Sequence, residues 1–212
     1  GYEIGDAVGD FRLKNVDGSM VSLSDFEEAK GFIVVFTCNT CPFAIANQER
    51  IQALDAQFKP KGYPVIAINP NDPEVQAGES FKEMQDLAAS KQFTYPYLYD
   101  ANHEIYAEYG ATKTPHVYVL QKKDDALEVK YIGAIDDSVR DASTVTTFFV
   151  VQAVEALLKG QEVNPETTKA IGCSIKAWSR WRSAGNALIL RLNLKKYIMK
   201  NKIVQNVSWY ES

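Results

Sequence analysis

Metal-ligating residues are few in this chain: its 212 residues include only three cysteines and two histidines. A structural zinc site takes four ligands, usually as two spaced pairs or as a pair with two histidines. Here one spaced pair exists, Cys38 and Cys41, while Cys173, His103 and His116 stand far apart from one another. No resident metal or cofactor is expected. Three cysteines, one without a sequence partner, also exclude a small disulfide-built scaffold. No run of eighteen or more uncharged apolar residues occurs, so no membrane span is expected. The chain begins at Gly1 with neither a Met nor a charged-then-apolar leader, which reads as a processed or trimmed chain. Together with the dithiol this favours an extracytoplasmic, periplasmic setting over a cytoplasmic one. Repeats and low-complexity stretches are absent.

What is present is an ordinary globular composition, 46% hydrophobic and 24% charged, enough for one domain with an appendage. The net charge of −4 selects no nucleic-acid partner. Its distribution is uneven. Residues 177–212 hold seven Lys/Arg and one Glu, leaving 16 Lys/Arg and 26 Asp/Glu in residues 1–176. An acidic body therefore carries a basic tail. The expected division is a domain over 1–176 and a basic C-terminal extension over 177–212. Such a segment suits acidic lipid, an acidic partner, the chain's own body or a homodimer contact.

The most informative stretch is Val34-Val35-Phe36-Thr37-Cys38-Asn39-Thr40-Cys41-Pro42-Phe43. An apolar run ends at two cysteines two residues apart, and a helical pattern starts directly afterwards. In that context Cys-x-x-Cys reads as a redox dithiol. The first N–H groups of a helix lack intrahelical partners and carry partial positive charge. A thiolate there is stabilised, so Cys38 is expected to be the low-pKa nucleophile. Cys41, one turn inside, would resolve a mixed disulfide. The spacing also permits an intramolecular bond.

Along the chain, residues 11–23 alternate around Asp17-Gly18 and read as a hairpin. Residues 32–36 form an apolar strand. Phe43, Asn47, Ile51, Leu54 and Phe58 then make one helical stripe that stops near Lys59-Pro60 and Gly62. Residues 63–68 form a second strand, joined to the first by a right-handed crossover. Helices are expected over Glu79–Lys91, Glu104–Tyr109 and Thr144–Leu158, with a short extended piece at 92–100. A loop enters a strand through Thr114-Pro115, and Leu127–Ile132 returns antiparallel. The result is an α/β fold with a mixed central sheet.

Cys38-Asn39-Thr40-Cys41 between strand and helix, with Thr114-Pro115 opening a later strand, resembles the thioredoxin-like fold. The front hairpin and the 69–100 region resemble its redoxin branch, the relatives of the alkyl hydroperoxide reductase/thiol-specific antioxidant proteins. Pro96-Tyr97-Leu98-Tyr99-Asp100, Tyr109-Gly110-Ala111, Gly133 with Asp136-Asp137-Ser138, and Lys169 to Lys176 around Cys173 resemble the peroxiredoxin-like group within that branch. The similarity covers about residues 3–176. It implies that Pro115 is cis and lies against the dithiol, and that the backbone of Thr114 receives an extended substrate. Phe43 and Pro115 would form the docking rim, with His116, Asn39, Thr40 and Cys173 as modulators of the pair. On their own terms Cys173 reads as a small buried thiol, and Asp136-Asp137 as solvated or helix-capping acids.

The resemblance implies a thiol–disulfide oxidoreductase with antioxidant relatives, acting on protein thiols or disulfides and served by a redox partner. One departure matters. Aligned on Cys41, peroxiredoxins carry Thr and Pro where this chain has Cys38 and Val34, so the peroxide-activating hydroxyl is replaced by a thiol. A thiol peroxidase with Cys41 peroxidatic and Cys38 resolving is the alternative enzyme. A third reading is a carrier of Cu(I) or Zn on Cys38, Cys41 and His116.

Overall fold

A computed structural model describes residues 1–124 and 126–177. The basic segment beyond Ala177, including its expected helix face, lies outside the described residues. Within 1–177, an eight-stranded sheet and a two-stranded sheet combine with four α-helices. The strands are β1 (Ala7–Val8), β2 (Arg12–Asn15), β3 (Met20–Ser22), β4 (Gly31–Phe36), β5 (Val65–Asn69), β6 (Tyr97–Tyr99), β7 (Lys113–Thr114), β8 (His116–Lys123), β9 (Ala126–Gly133) and β10 (Cys173–Ser174). The helices are α1 (Pro42–Phe58), α2 (Phe81–Lys91), α3 (Ile105–Tyr109) and α4 (Phe149–Leu158).

The larger sheet runs β1-β9-β8-β4-β5-β6-β2-β3. Strands β4, β5 and β6 are parallel, and the remaining neighbours are antiparallel. The mixed sheet expected from the element order is therefore present. Strand β4 is buried along its whole length. Successive side chains point to opposite faces, so Ile33 and Val35 meet Ile51, Leu54 and Phe58 of α1, Met84 of α2 and Val154 of α4. Phe32, Val34 and Phe36 meet Ile66, Ile68, Tyr109 and Tyr118 on the other side. With both faces covered, a continuous apolar run is the physically required pattern for this strand.

This arrangement places the end of β4, and hence the cysteines, at the start of α1. The helix gives way to a 3-10 turn at Lys59–Lys61, and Gly62 closes it at φ +91°, where a side chain would be strained.

One expectation needs correction, and two segments join the sheets unannounced. The last helix begins at Phe149, not Thr144. The Asp137 carboxylate accepts the Thr146 N–H at 3.0 Å and the Thr146 hydroxyl, and the Asp137 N–H donates to the Thr147 carbonyl at 3.1 Å. The β-branched run Val145-Thr146-Thr147 has little helical propensity to oppose this extended anchoring. The N-terminal segment joins the larger sheet, where β1 adds to β9 and Val8 is buried. Finally, β10 is a strand that no periodicity announces. It pairs antiparallel with β7, setting Cys173 opposite Thr114 and Ser174 opposite Lys113.

Candidate active site

Helix α1 starts at Pro42, so Cys41 is its N-cap and Cys38 lies in the loop three residues earlier. Pro42 fits the first helical position because its missing N–H would have no partner there. Both cysteines are buried, Cys38 at 2% and Cys41 at 4% exposure, and pack with Ala44. All three cysteines are free thiols. The Thr114–Pro115 peptide is cis, and Thr114 reaches both members of the pair. Its hydroxyl is 3.2 Å from Cys38 Sγ, and its carbonyl oxygen is 3.2 Å from Cys41 Sγ.

The surroundings favour a thiolate on Cys41 over one on Cys38, the thiol expected to ionise first. Cys41 is held below the usual thiol range by the Cys38 S–H, by the Cys173 side chain and by the Ala44 and Cys173 backbone N–H groups. Burial and the Thr114 carbonyl oppose this, but the donors outnumber them. Cys38 is pushed up, because the Cys41 side chain beside it favours its protonated form, because it is buried, and because the Glu79 carboxylate is near. The helix start acts in the same direction, since its N-terminus favours a nearby negative charge and Cys41 is the N-cap.

Beneath the loop lies Glu79, fully buried. It accepts the Asn39 N–H at 3.0 Å, the Thr40 N–H at 2.9 Å, the Thr40 hydroxyl at 2.5 Å and the Asn69 side-chain amide at 2.9 Å. Asn39 also donates to the Gly78 carbonyl at 2.8 Å and accepts the Tyr97 hydroxyl at 2.8 Å. Asn39 and Thr40 thus clamp the loop to the floor of the site, their side chains turned to Gly78, Glu79 and Tyr97 and not to a thiol. Sequence reading had placed Glu79 at the start of a helix. In the structure it precedes the Ser80 N-cap, and no local signal distinguishes it from a solvated helix-start acid.

The other expected residues divide. Phe43 packs against the cysteine cluster, with the Arg140 guanidinium 4.5 Å above its ring. His116 does not join the thiols. It pairs across the sheet with Phe36, lies 5.0 Å from the Tyr118 ring, and accepts the Thr112 N–H at 3.4 Å. Burial lowers its pKa to about 4. Among the described residues no group of three or more His, Cys, Asp or Glu side chains is arranged to hold a metal ion.

Asp136 and Asp137 are not an equivalent solvated pair. Asp136 is 3% exposed and takes two hydrogen bonds from Arg50, at 2.8 and 2.6 Å, with Arg50 also bonding the Ser138 carbonyl at 2.6 Å. Asn47 adds bonds to the Phe43 and Val139 carbonyls at 2.7 and 2.9 Å. Arg50 and Asn47 therefore tie the helix carrying Cys41 to the loop after β9.

Cys173 does join the pair. It packs on the Cys38–Cys41–Ala44 cluster, partly buried, and its side chain and N–H help to hold the Cys41 thiol down. Gly172 makes this approach possible, since a Cβ there would stand 2.2 Å from the Thr114 oxygen.

Comparison with known proteins agrees with this architecture. Residues 4–149 match the AhpC/TSA family. Thiol-disulfide oxidoreductase ResA of Oceanobacillus iheyensis is 31% identical over 132 residues, covering 60% of this chain. The match spans 65% of that relative, just under two thirds of its length. An uncharacterized conserved protein from Geobacillus kaustophilus is 33% identical with a TM-score of 0.76, over 84% of this chain and 93% of its own. The exposed lipoprotein thioredoxin Etrx1 of Streptococcus pneumoniae, at 18% identity and a TM-score of 0.53 over 72% of this chain and 99% of its own, shares the fold. The resemblance read from the dithiol and the later proline is thus found again in these comparisons, the fold is thioredoxin-like, and the chain belongs to the AhpC/TSA family.

Proposed function

We propose that this redoxin is a thiol–disulfide oxidoreductase whose Cys38–Cys41 pair cycles between dithiol and intramolecular disulfide. The observation that carries it is the placement of two buried free thiols two residues apart, the second on a helix N-cap and both against Thr114 of a cis Thr114–Pro115 peptide. The Cys41 thiolate attacks a partner disulfide, forming a mixed disulfide and expelling one partner thiolate, which takes the Cys38 proton. Cys38 then attacks Cys41 Sγ, the Cys38–Cys41 bond forms, and the second partner thiolate leaves. The partner gains the two electrons that the pair loses. The names of the ResA relatives support this class, and a protein substrate and a separate redox partner follow from it. Residues 1–176 would carry the activity, with 177–212 as an appendage.

The test is a dithiothreitol redox series read by alkylation and mass spectrometry, with Cys173 scored separately. A reversible Cys38–Cys41 disulfide is expected, and insulin reduction should fall to background in Cys38→Ser and in Cys41→Ser. Full activity in Cys38→Ser would sink the reading. A potential near about −270 mV would mark a reductase, and one near about −120 mV a disulfide donor.

The peroxidase alternative draws support from Cys41 being the favoured thiolate, at the position aligned with the peroxidatic residue. The aligned Thr and Pro are absent, their places taken by Cys38 and Val34. Peroxide consumption no faster than that of a free thiol would remove it.

A further inference from the structure

The Cys38–Cys41 pair is almost closed to solvent, yet its proposed chemistry requires a partner sulfur to reach it. The edge of Thr114, where an extended substrate was expected to pair, is already filled by the chain's own strand β10. The residue of that strand directly opposite Thr114 is a cysteine, and it is more exposed than either member of the pair. We propose that Cys173 is a third catalytic thiol, which carries the disulfide between the buried pair and protein partners through a Cys41–Cys173 bond. This rests on the oxidoreductase reading above.

Three features besides proximity support the role. Strand β10 is pinned on both sides of the pair. Lys113 Nζ donates to Ser174 Oγ at 3.1 Å, the Lys176 N–H donates to Asn71 Oδ1 at 2.8 Å, and the Asp72 N–H donates to the Lys176 carbonyl at 2.7 Å. Gly172 lets the strand approach to a separation that any side chain would forbid. The electrostatics also change with oxidation state. In the reduced centre, burial and the neighbouring Cys41 raise the Cys173 thiol, against Lys176 and Lys113. When Cys41 enters a disulfide its charge disappears, while the two ammonium groups remain. Cys173 is then easier to ionise at the stage when it must attack.

The steps balance without an added oxidant. In the oxidised centre the Cys173 thiolate attacks Cys41 Sγ and the Cys41–Cys173 bond forms. The Cys38–Cys41 bond breaks with its electron pair on Cys38, which takes the proton Cys173 released. This isomerisation is redox-neutral. A partner thiolate then attacks Cys173 Sγ, leaving the electron pair on Cys41. A second partner thiolate resolves the mixed disulfide, freeing Cys173 and releasing the oxidised partner. The reverse sequence reduces a partner disulfide.

Two measurements on the full chain test this, with circular dichroism and unfolding midpoints as folding controls. Cys38→Ala, oxidised with diamide, alkylated and digested without reductant, is expected to yield the Cys41–Cys173 linked peptide as its main disulfide. Cys173→Ser is expected to keep a reversible Cys38–Cys41 disulfide while reducing insulin at least tenfold more slowly than the unaltered chain. Absence of the linked peptide in folded Cys38→Ala overturns the proposal, and so does insulin reduction by Cys173→Ser at the unaltered rate. If Cys38→Ala does not fold, acid-quenched samples of the unaltered chain at half oxidation replace it, and a Cys41–Cys173 peptide must appear there. A chain forming no Cys38–Cys41 disulfide at all instead defeats the oxidoreductase reading itself.

Discussion

Thr40 gives both its backbone N–H and its hydroxyl to one oxygen of the fully buried Glu79, while the other oxygen serves Asn39 and Asn69. The loop between the two cysteines is therefore held by a carboxylate that belongs to a distant segment. A hydrogen bond to a charged group contributes about 1.5–3 kcal/mol. Glu79→Gln keeps the shape but loses the charge, so urea unfolding should show a loss of about 2 kcal/mol. The charge that disfavours a Cys38 thiolate also goes. The dithiol form should gain stability, and the pair should be reduced at a lower ratio of reduced to oxidised dithiothreitol. An unchanged redox midpoint would remove Glu79 from the electrostatics of the site.

The ionisation order of the pair gives a second expectation. The largest influence lowering Cys41 is the Cys38 side chain. In reduced Cys38→Ala the Cys41 midpoint, followed by thiolate absorbance near 240 nm, should rise. A rise of about one pH unit corresponds to about tenfold less thiolate at a pH below both midpoints. Should the low-pH absorbance step survive in Cys41→Ala, the assignment of the thiolate to Cys41 is wrong.

Arg50 and Asp136 are both largely buried, at 13% and 2% side-chain exposure, and 2.6 Å apart. Removing one partner leaves an uncompensated buried charge, which costs about 3–5 kcal/mol. Asp136→Ala should therefore lower the urea midpoint more than the double variant Arg50→Met/Asp136→Leu. Equal losses would mean that the pair acts through packing alone.

His116 sets a pH dependence. Burial depresses its folded pKa to about 4, below an unfolded value of about 6.5. The unfolded chain then binds the proton first, so the stability due to neutral His116 is full above about pH 6.5 and is lost as pH falls toward 4. The span corresponds to something on the order of 3 kcal/mol. His116→Gln should flatten the unfolding free energy between pH 6.5 and 4 relative to the unaltered chain. Parallel slopes in the two proteins would show that His116 is not buried neutral.

Local pattern carried most of the architecture. The strand at 31–36, the helix after the cysteines, the crossover to the next strand and the hairpin around Gly18 follow from apolar period, turn residues and breakers. These are forces between neighbours in sequence. The last helix start failed for a compatible reason: Asp137 reaches Thr146 and Thr147 from nine and ten residues away, outside any window of periodicity.

The amino-acid sequence by itself determined that a strand would deliver Cys-x-x-Cys to a helix start. It also placed a proline ahead of a later strand, as the redoxin pattern requires. Tertiary structure alone decided which cysteine sits in the favourable field, because a three-residue shift of the helix boundary moves the N-cap from Cys38 to Cys41. Folding also chose Glu79 as the floor of the loop, set His116 against Tyr118 and Thr112, and brought Cys173 beside the thiols. These last assignments depend on strand register and on close approach at a glycine. Both are set by pairing between segments scores of residues apart, and no spacing within either segment encodes them.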